Sequence, residues 1–266
     1  LINYNLKGYA KKIDIELPEK FYIKRSSFNF FLTKKTGRIE NLSGKINDIA
    51  FNEGKLNYST DNDIEIKASV ESRAKLNKKK ISNLYSDFEK LSFIKDQINL
   101  DVKALHNLEL VFDQTLKVKK YIYNLDGQLD NSTINLETKI DETILPNKIN
   151  YIQIDKTKFL LNLNNNNKNS FLIEGLYKIN KGKINKFTIK NKFSKIISNI
   201  NLDFEFNELV KIPILNYEKN EKIIANINSD IILKKNIINI VNLDYRENQS
   251  MLSIKDLIIS KKGYLN

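Results

Sequence analysis

The chain has 266 residues, 41% hydrophobic and 29% charged, enough apolar residues for a core and too many for a chain disordered by composition. It contains no Cys and a single His, His106; this removes disulfides, thiolate zinc sites, iron–sulfur clusters and cysteine nucleophiles, and leaves no room for a histidine-based metal site. Lys+Arg 44 against Asp+Glu 32 gives +12, but the lysines are scattered or in short runs such as Lys78-Lys79-Lys80, and Arg, the residue of bidentate phosphate and base contacts, is scarce, so the charge reads as a solvated polar face.

Along the chain, apolar and polar residues alternate in short segments, the mark of strands with one buried face. Ile13, Ile15 and Leu17 alternate with Asp14 and Glu16, and Phe28, Phe30 and Leu32 follow. Ile64, Ile66, Ala68 and Val70 come next. From 80 to 95 the pattern changes: Ile81, Leu84, Tyr85, Phe88 and Leu91 recur with helical spacing. This predicts one short amphipathic helix, with Ser82 as a cap, that plugs the sheet or covers an edge. Alternation resumes at Leu108, Leu110, Phe112; at Tyr121, Tyr123, Leu125; and at Ile134, Leu136, Thr138, Ile140. It continues at Phe159, Leu161, Leu163; Phe171, Ile173, Gly175, Tyr177; and Ile200, Leu202, Phe204, Phe206. The last segments are Ala225, Ile227, Ser229, Ile231, Leu233 and then Ile238, Ile240.

On the order of 17 such segments of roughly 5–7 residues, most of them β-branched or aromatic on the apolar side, predict an all-β protein. Short polar connections predict turns at 34–37, Asn52-Glu53-Gly54, Asp61-Asn62-Asp63, Asp130-Asn131-Ser132, 164–169 and Asn180-Lys181-Gly182. Connections this short favour a long antiparallel meander. Leu145-Pro146 marks a break between an N-terminal segment, 1–145, and a C-terminal segment, 146–266. Pro213 reads as an edge position, bulge or loop. Short strands argue against an outer-membrane barrel, whose strands run about 9–11 residues, and suit a sheet curled lengthwise into an elongated groove.

No stretch approaches the ~18–20 apolar residues of a membrane-spanning helix. The chain begins and ends inside patterned sequence and reads as a piece of a longer protein, with any anchor or targeting signal outside it. No catalytic or cofactor motif is found, so neither an enzyme nor a cofactor is expected. His106 has no partner arrangement visible in the sequence and reads as a plain polar contact. Asp61-Asn62-Asp63 lacks the Gly and distant Glu of a calcium loop and reads as a turn.

The stretch Gly37-Arg38-Ile39-Glu40-Asn41-Leu42-Ser43-Gly44-Lys45-Ile46-Asn47-Asp48-Ile49 resembles a strand–turn pattern of the AsmA-like superfamily, in which a Gly precedes each amphipathic strand pair. It recurs more loosely at Tyr123-Asn124-Leu125-Asp126-Gly127-Gln128-Leu129 and at Glu174-Gly175-Leu176-Tyr177-Lys178-Ile179-Asn180-Lys181-Gly182-Lys183-Ile184. The chain is similar to the mid-section of such a protein, near the YhdP/TamB-type branch and its DUF3971-like region. It departs from that family in its Asn and Lys richness and low Gly, a departure that A+T-rich coding accounts for.

The resemblance implies a β-taco-like groove and a periplasmic segment, anchored to the inner membrane by a part of the longer chain outside this one. It implies phospholipid as partner and outer-membrane components at the far end; the scattered lysines and scarce Arg argue against nucleic acid. Acyl chains would lie in the groove, lined by Ile13, Ile15, Phe28, Phe30, Ile64, Ile66, Leu108, Leu110, Phe112, Ile134, Leu136, Phe159, Leu161, Phe171, Ile173, Leu202 and Phe204. On residue type alone the same set reads as ordinary dry core. Two rival functions stay open: a structural or adhesive β scaffold, and a factor assisting outer-membrane protein assembly by strand addition.

Overall fold

A computed structural model describes residues 4–17, 21–46, 49–84, 94–136 and 143–260. Strands β1 (Asn5–Leu17), β2 (Phe21–Thr33), β3 (Thr36–Ile46), β4 (Ile49–Ser59) and β5 (Ile64–Leu76) lead to a helix, α1 (Lys78–Leu84). Then come β6 (Ile94–Phe112), β7 (Val118–Leu136), β8 (Tyr151–Asn164), β9 (Asn169–Ile179), β10 (Asn185–Phe193) and β11 (Ile197–Phe206). A small hairpin, β12 (Val210–Ile212) and β13 (Tyr217–Lys219), precedes β14 (Ala225–Lys234), β15 (Ile237–Glu247) and β16 (Ser250–Ser260). Fourteen of these strands form one antiparallel sheet, open at β1 and β16, in chain order except that β14 follows β11 directly. The omitted pair, β12 and β13, forms its own two-stranded sheet. The all-β meander is therefore present, as expected from short polar connections.

The strands are longer than the sequence suggested. Most span 9 to 14 residues, and β6 and β7 reach 19 each, so the strand-length objection to an outer-membrane barrel fails; the sheet's open order is what separates it from a closed barrel. The cause lies in bulges. Pairing registers slip between Ala10 and Ile13, Lys24 and Ser27, Ile39 and Leu42, and Asn52 and Lys55. Inside each slip one residue takes a left-handed backbone: Lys12 (φ 54), Arg25 (φ 53), Asn41 (φ 55) and Glu53 (φ 54). One extra residue shifts the alternation by one and kinks the strand without ending it, so a continuous strand reads in sequence as two short ones. Neighbouring side chains accept the freed amides: Lys12 N–H donates to Ser27 Oγ (3.1 Å) and Arg25 N–H to Asp14 Oδ1 (2.7 Å).

Two predicted turns are corrected for the same reason. Asn52-Glu53-Gly54 lies inside β4 at its bulge, and Asp130-Asn131-Ser132 lies inside β7, where Asn131 is left-handed (φ 45). The turns at 34–35, 61–63, 165–167 and 180–181 do separate strands. Pro213 opens a 3-10 turn, Pro213–Leu215, between β12 and β13.

The helix starts earlier than expected. Asn77, not Ser82, is its cap: the Lys80 N–H donates to Asn77 Oδ1 at 3.0 Å. Ser82 lies within the helix, buried. The predicted continuation through Tyr85, Phe88 and Leu91 lies outside the described residues, as do Thr138 and Ile140.

The chain divides into two compact units. One comprises Leu1–Ala74, Val102–Gly127 and Leu160–Lys168; the other comprises Lys75–Asp101, Gln128–Phe159 and Asn169–Asn266. Strands β5, β6, β7 and β8 contribute residues to both, and Leu145-Pro146 lies in irregular chain between β7 and β8.

Candidate apolar binding face

Residues paired across an antiparallel ladder present their side chains on the same face, so the registers trace each face directly. In the first unit one row runs Leu6, Leu32, Gly37, Tyr58, Ile66, and the next runs Gly8, Phe30, Ile39, Leu56, Ala68. Each bulge returns the apolar set to this side: Ile13 pairs with Ser26 and Ile15 with Ile23. Glycines meet rings across the ladder. A Cβ on Gly37 would overlap the Tyr58 ring, and one on Gly8 would lie 2.5 Å from Phe30 Cζ. Gly37, which the sequence pattern singles out, and Gly8, which it does not, thus make room for aromatic rings on this face.

Ser72, His106 and Tyr123 are hydrogen-bonded side chain to side chain and so share a face. Alternation then places Ile64 and Ile66, Leu108, Leu110 and Phe112, and Tyr121 and Leu125 on that same face. Asn162 bonds Asn124 on the opposite side, which puts Leu161 among the apolar set.

In the second unit the rows are Ile173, Ile189, Leu202, Ser229, Leu243, Ile254 and Gly175, Phe187, Phe204, Ile227, Tyr245, Leu252. The buried Thr157 faces Gly175, and alternation carries Phe159 to the same side. Phe171 precedes Ile173 by one alternation. Ile134 and Leu136, near the end of β7, are half-buried. The intervening positions are polar: Thr188, Asp203 and Asn228 pair in one row, and Lys190, Asn201 and Asp230 in the next. The sheet is thus strongly two-sided within each unit.

Buried apolar residues punctuate this same face: Phe51 pairs with Ser72, Ala225 alternates with Ile227, and Ile179 with Tyr177. The buried apolar residues among those described are Phe51, Ile98, Ala104, Leu129, Ile179 and Ala225. None of the seventeen expected lining residues is among them. Sixteen are half-buried and Ile13 is 41% exposed.

The β12–β13 hairpin is the feature that sequence reasoning missed. It stands over a cavity of about 490 Å³ lined by Phe204, Phe206, Val210, Ile212, Tyr217, Ile227, Leu243, Tyr245, Ser250, Met251 and Leu252. Of the predicted lining residues only Phe204 is in this group. The Tyr217 and Tyr245 hydroxyls are 2.7 Å apart with their rings edge-on, and Tyr245 donates to Glu247 Oε2 at 3.1 Å. Burial pushes the Tyr217 phenol up to about 12 and raises Tyr245 as well, so both stay neutral donors at ordinary pH. Lys219, two residues beyond Tyr217, is fully buried; its Nζ donates to the Glu208 carbonyl (2.9 Å) and the Asn220 carbonyl (3.2 Å). Burial pulls its ammonium below the usual lysine range, partly offset by Glu247 and Glu208. The sequence signal was Ile212-Pro213-Ile214, an apolar segment that breaks the alternation.

His106 has partners after all. Its Nε2 lies 2.7 Å from Ser72 Oγ and its Nδ1 2.7 Å from the Tyr123 hydroxyl. Burial lowers its pKa, so the ring is held neutral, a polar station on the apolar side. Asp61 and Asp63, the turn carboxylates, are engaged by Lys35 (2.9 Å) and Lys119 (2.7 Å). Lys67 lies on the opposite, polar face beside a shallow depression with Lys55, Asn57 and Glu109.

No family model, curated protein or solved structure matches the chain.

Proposed function

We propose that this chain is a periplasmic segment of an AsmA-like protein that carries phospholipid acyl chains along the apolar face of its sheet, between inner and outer membranes. The observation that supports it is the one-sided face just described: seventeen expected lining positions, none buried. A hydrocarbon chain laid on such a face leaves water at a gain of about 0.8 kcal/mol per methylene, so ten methylenes gain roughly 8 kcal/mol. Apolar contact is non-directional, so a chain held this way can slide from one row to the next. Headgroups would stay in solvent.

The experiment is purification without detergent, followed by mass spectrometry of bound lipid and a vesicle-to-vesicle transfer assay. Phospholipid is expected in the wild-type preparation. Phe112→Asp and Leu161→Asp, each placing a carboxylate on the apolar side, are expected to abolish transfer. Undiminished transfer by a folded variant contradicts the proposal.

A further inference from the structure

The hairpin β12–β13 divides the apolar face of the second unit into a bare part and a roofed part, and the roofed part has its own chemistry. Its cavity of about 490 Å³ falls in the range of small-ligand sites. Among the described residues no charged side chain lines it; its polar groups are Ser250 at one side and the two phenols. Those phenols are already bonded to one another and onward to Glu247, so they demand nothing from an occupant. Phe204, Ile227 and Leu243 form the floor on β11, β14 and β15, and Val210, Ile212 and Tyr217 form the roof.

We infer that this hairpin is a strap enclosing a chamber for one hydrocarbon chain, reached from the β16 side. The inference rests on the acyl-carrying reading and deepens it: the bare face is a track, and the roofed part is a holding site. The polar lock explains how the strap stays in place without filling the space beneath it. The Tyr217–Tyr245 bond (2.7 Å) joins the strap to the floor, and the Lys211 N–H donates to the Ile144 carbonyl at 2.8 Å. Lys219 ties the base of the hairpin to the carbonyls of Glu208 and Asn220. The geometry of the return turn is fixed by Asn216, left-handed at φ 48, whose N–H donates to the Pro213 carbonyl. The way in is marked by Leu252, which lies in the row with Tyr245 on the edge strand β16, lines the cavity and is still 41% exposed. A headgroup would remain outside, because the chamber offers a phosphate no cation.

The test is photolabelling of the full chain with two probes, a palmitate analogue carrying a diazirine near its methyl end and a phosphatidylglycerol carrying the same group in one acyl chain. Labelled peptides are then mapped by mass spectrometry. Labels within 204–217 and 243–252 are expected, from whichever probe is the natural form of the chain, free or esterified. Ile227→Asp is expected to reduce labelling there at least tenfold while labels at Phe28 and Phe30 persist. Tyr217→Phe, which keeps the ring and removes one side of the lock, is expected to leave the label in place and speed release of bound probe several-fold. Labels on the rest of the apolar face with none in these two peptides would overturn the chamber and leave the track standing. Absence of label anywhere would overturn the track, and the chamber with it.

Discussion

Ser72 Oγ and His106 Nε2 lie 2.7 Å apart on neighbouring strands, and the far side of the imidazole meets the Tyr123 hydroxyl at the same distance. The group is half-buried on the apolar side of the sheet, and burial lowers the His106 pKa. A folded-state pKa below the unfolded value of about 6.5 means that the unfolded chain binds more protons as pH falls. The neutral ring therefore contributes stability that is present above about pH 6.5 and is lost as pH drops below it. The low-held carboxylates Glu109, Asp113 and Asp244 titrate further down, while burial raises Glu208 and gives it the opposite pH dependence, so the imidazole's share between about pH 7 and 5 is read as the difference from a variant that lacks it. Urea unfolding is expected to show stability declining across that window in the wild type. His106→Gln, which keeps hydrogen-bonding capacity without the titration, is expected to flatten the slope; an unchanged slope would assign it elsewhere.

Gly37 and Tyr58 are directly paired, and the tyrosine ring occupies the space that a Cβ at 37 would take. Gly37→Ala is expected to destabilise the fold by about 1–3 kcal/mol through overpacking. In a Tyr58→Ala background the same change is expected to cost less than half as much, because the ring that it displaces is gone. Equal costs in both backgrounds, measured by chemical denaturation, would show that the pair is uncoupled.

Lys156, in the middle of β8, is left-handed at φ 46. The buried Thr157 beside it donates its hydroxyl to the Asp155 carbonyl at 3.1 Å. Lys156→Val, β-branched at a positive φ, is expected to cost about 1–2 kcal/mol. Lys156→Gly, free of that penalty, is expected to be neutral or slightly stabilising. If both variants unfold at the same denaturant concentration, the backbone conformation is not what constrains this position.

Much of the fold was legible because the alternation is strong: the strands, their chain-order meander and most turns follow from side chains alone. Strand lengths were not, because left-handed positions inside strands are held by Lys12, Arg25, Glu53 and Lys156, none of which signals a positive φ as Gly would. Where the registers trace them, alternating apolar positions fall on one side within each unit, since a register slip moves the pattern and then restores it. The chamber and the His106 cluster were hidden for a different reason. Tyr217 and Tyr245 are 28 residues apart, and His106 meets partners 34 and 17 residues away. Nothing local in the chain announces such meetings, which only the ladder registers create.

The most direct measurement uses the absence of native cysteine to place one nitroxide label at a time. Leu202 lies on the apolar face, in the row with Ile189 and Ser229, and Asp203 on the polar face, in the row with Thr188 and Asn228. Collision rates of Leu202→Cys and Asp203→Cys labels with a water-soluble nickel reagent are compared before and after adding phosphatidylglycerol vesicles. A several-fold loss of access at 202 with none at 203 is the predicted result, as an acyl chain covers one face only. Equal responses at the two positions, or continued access at 202, would contradict it.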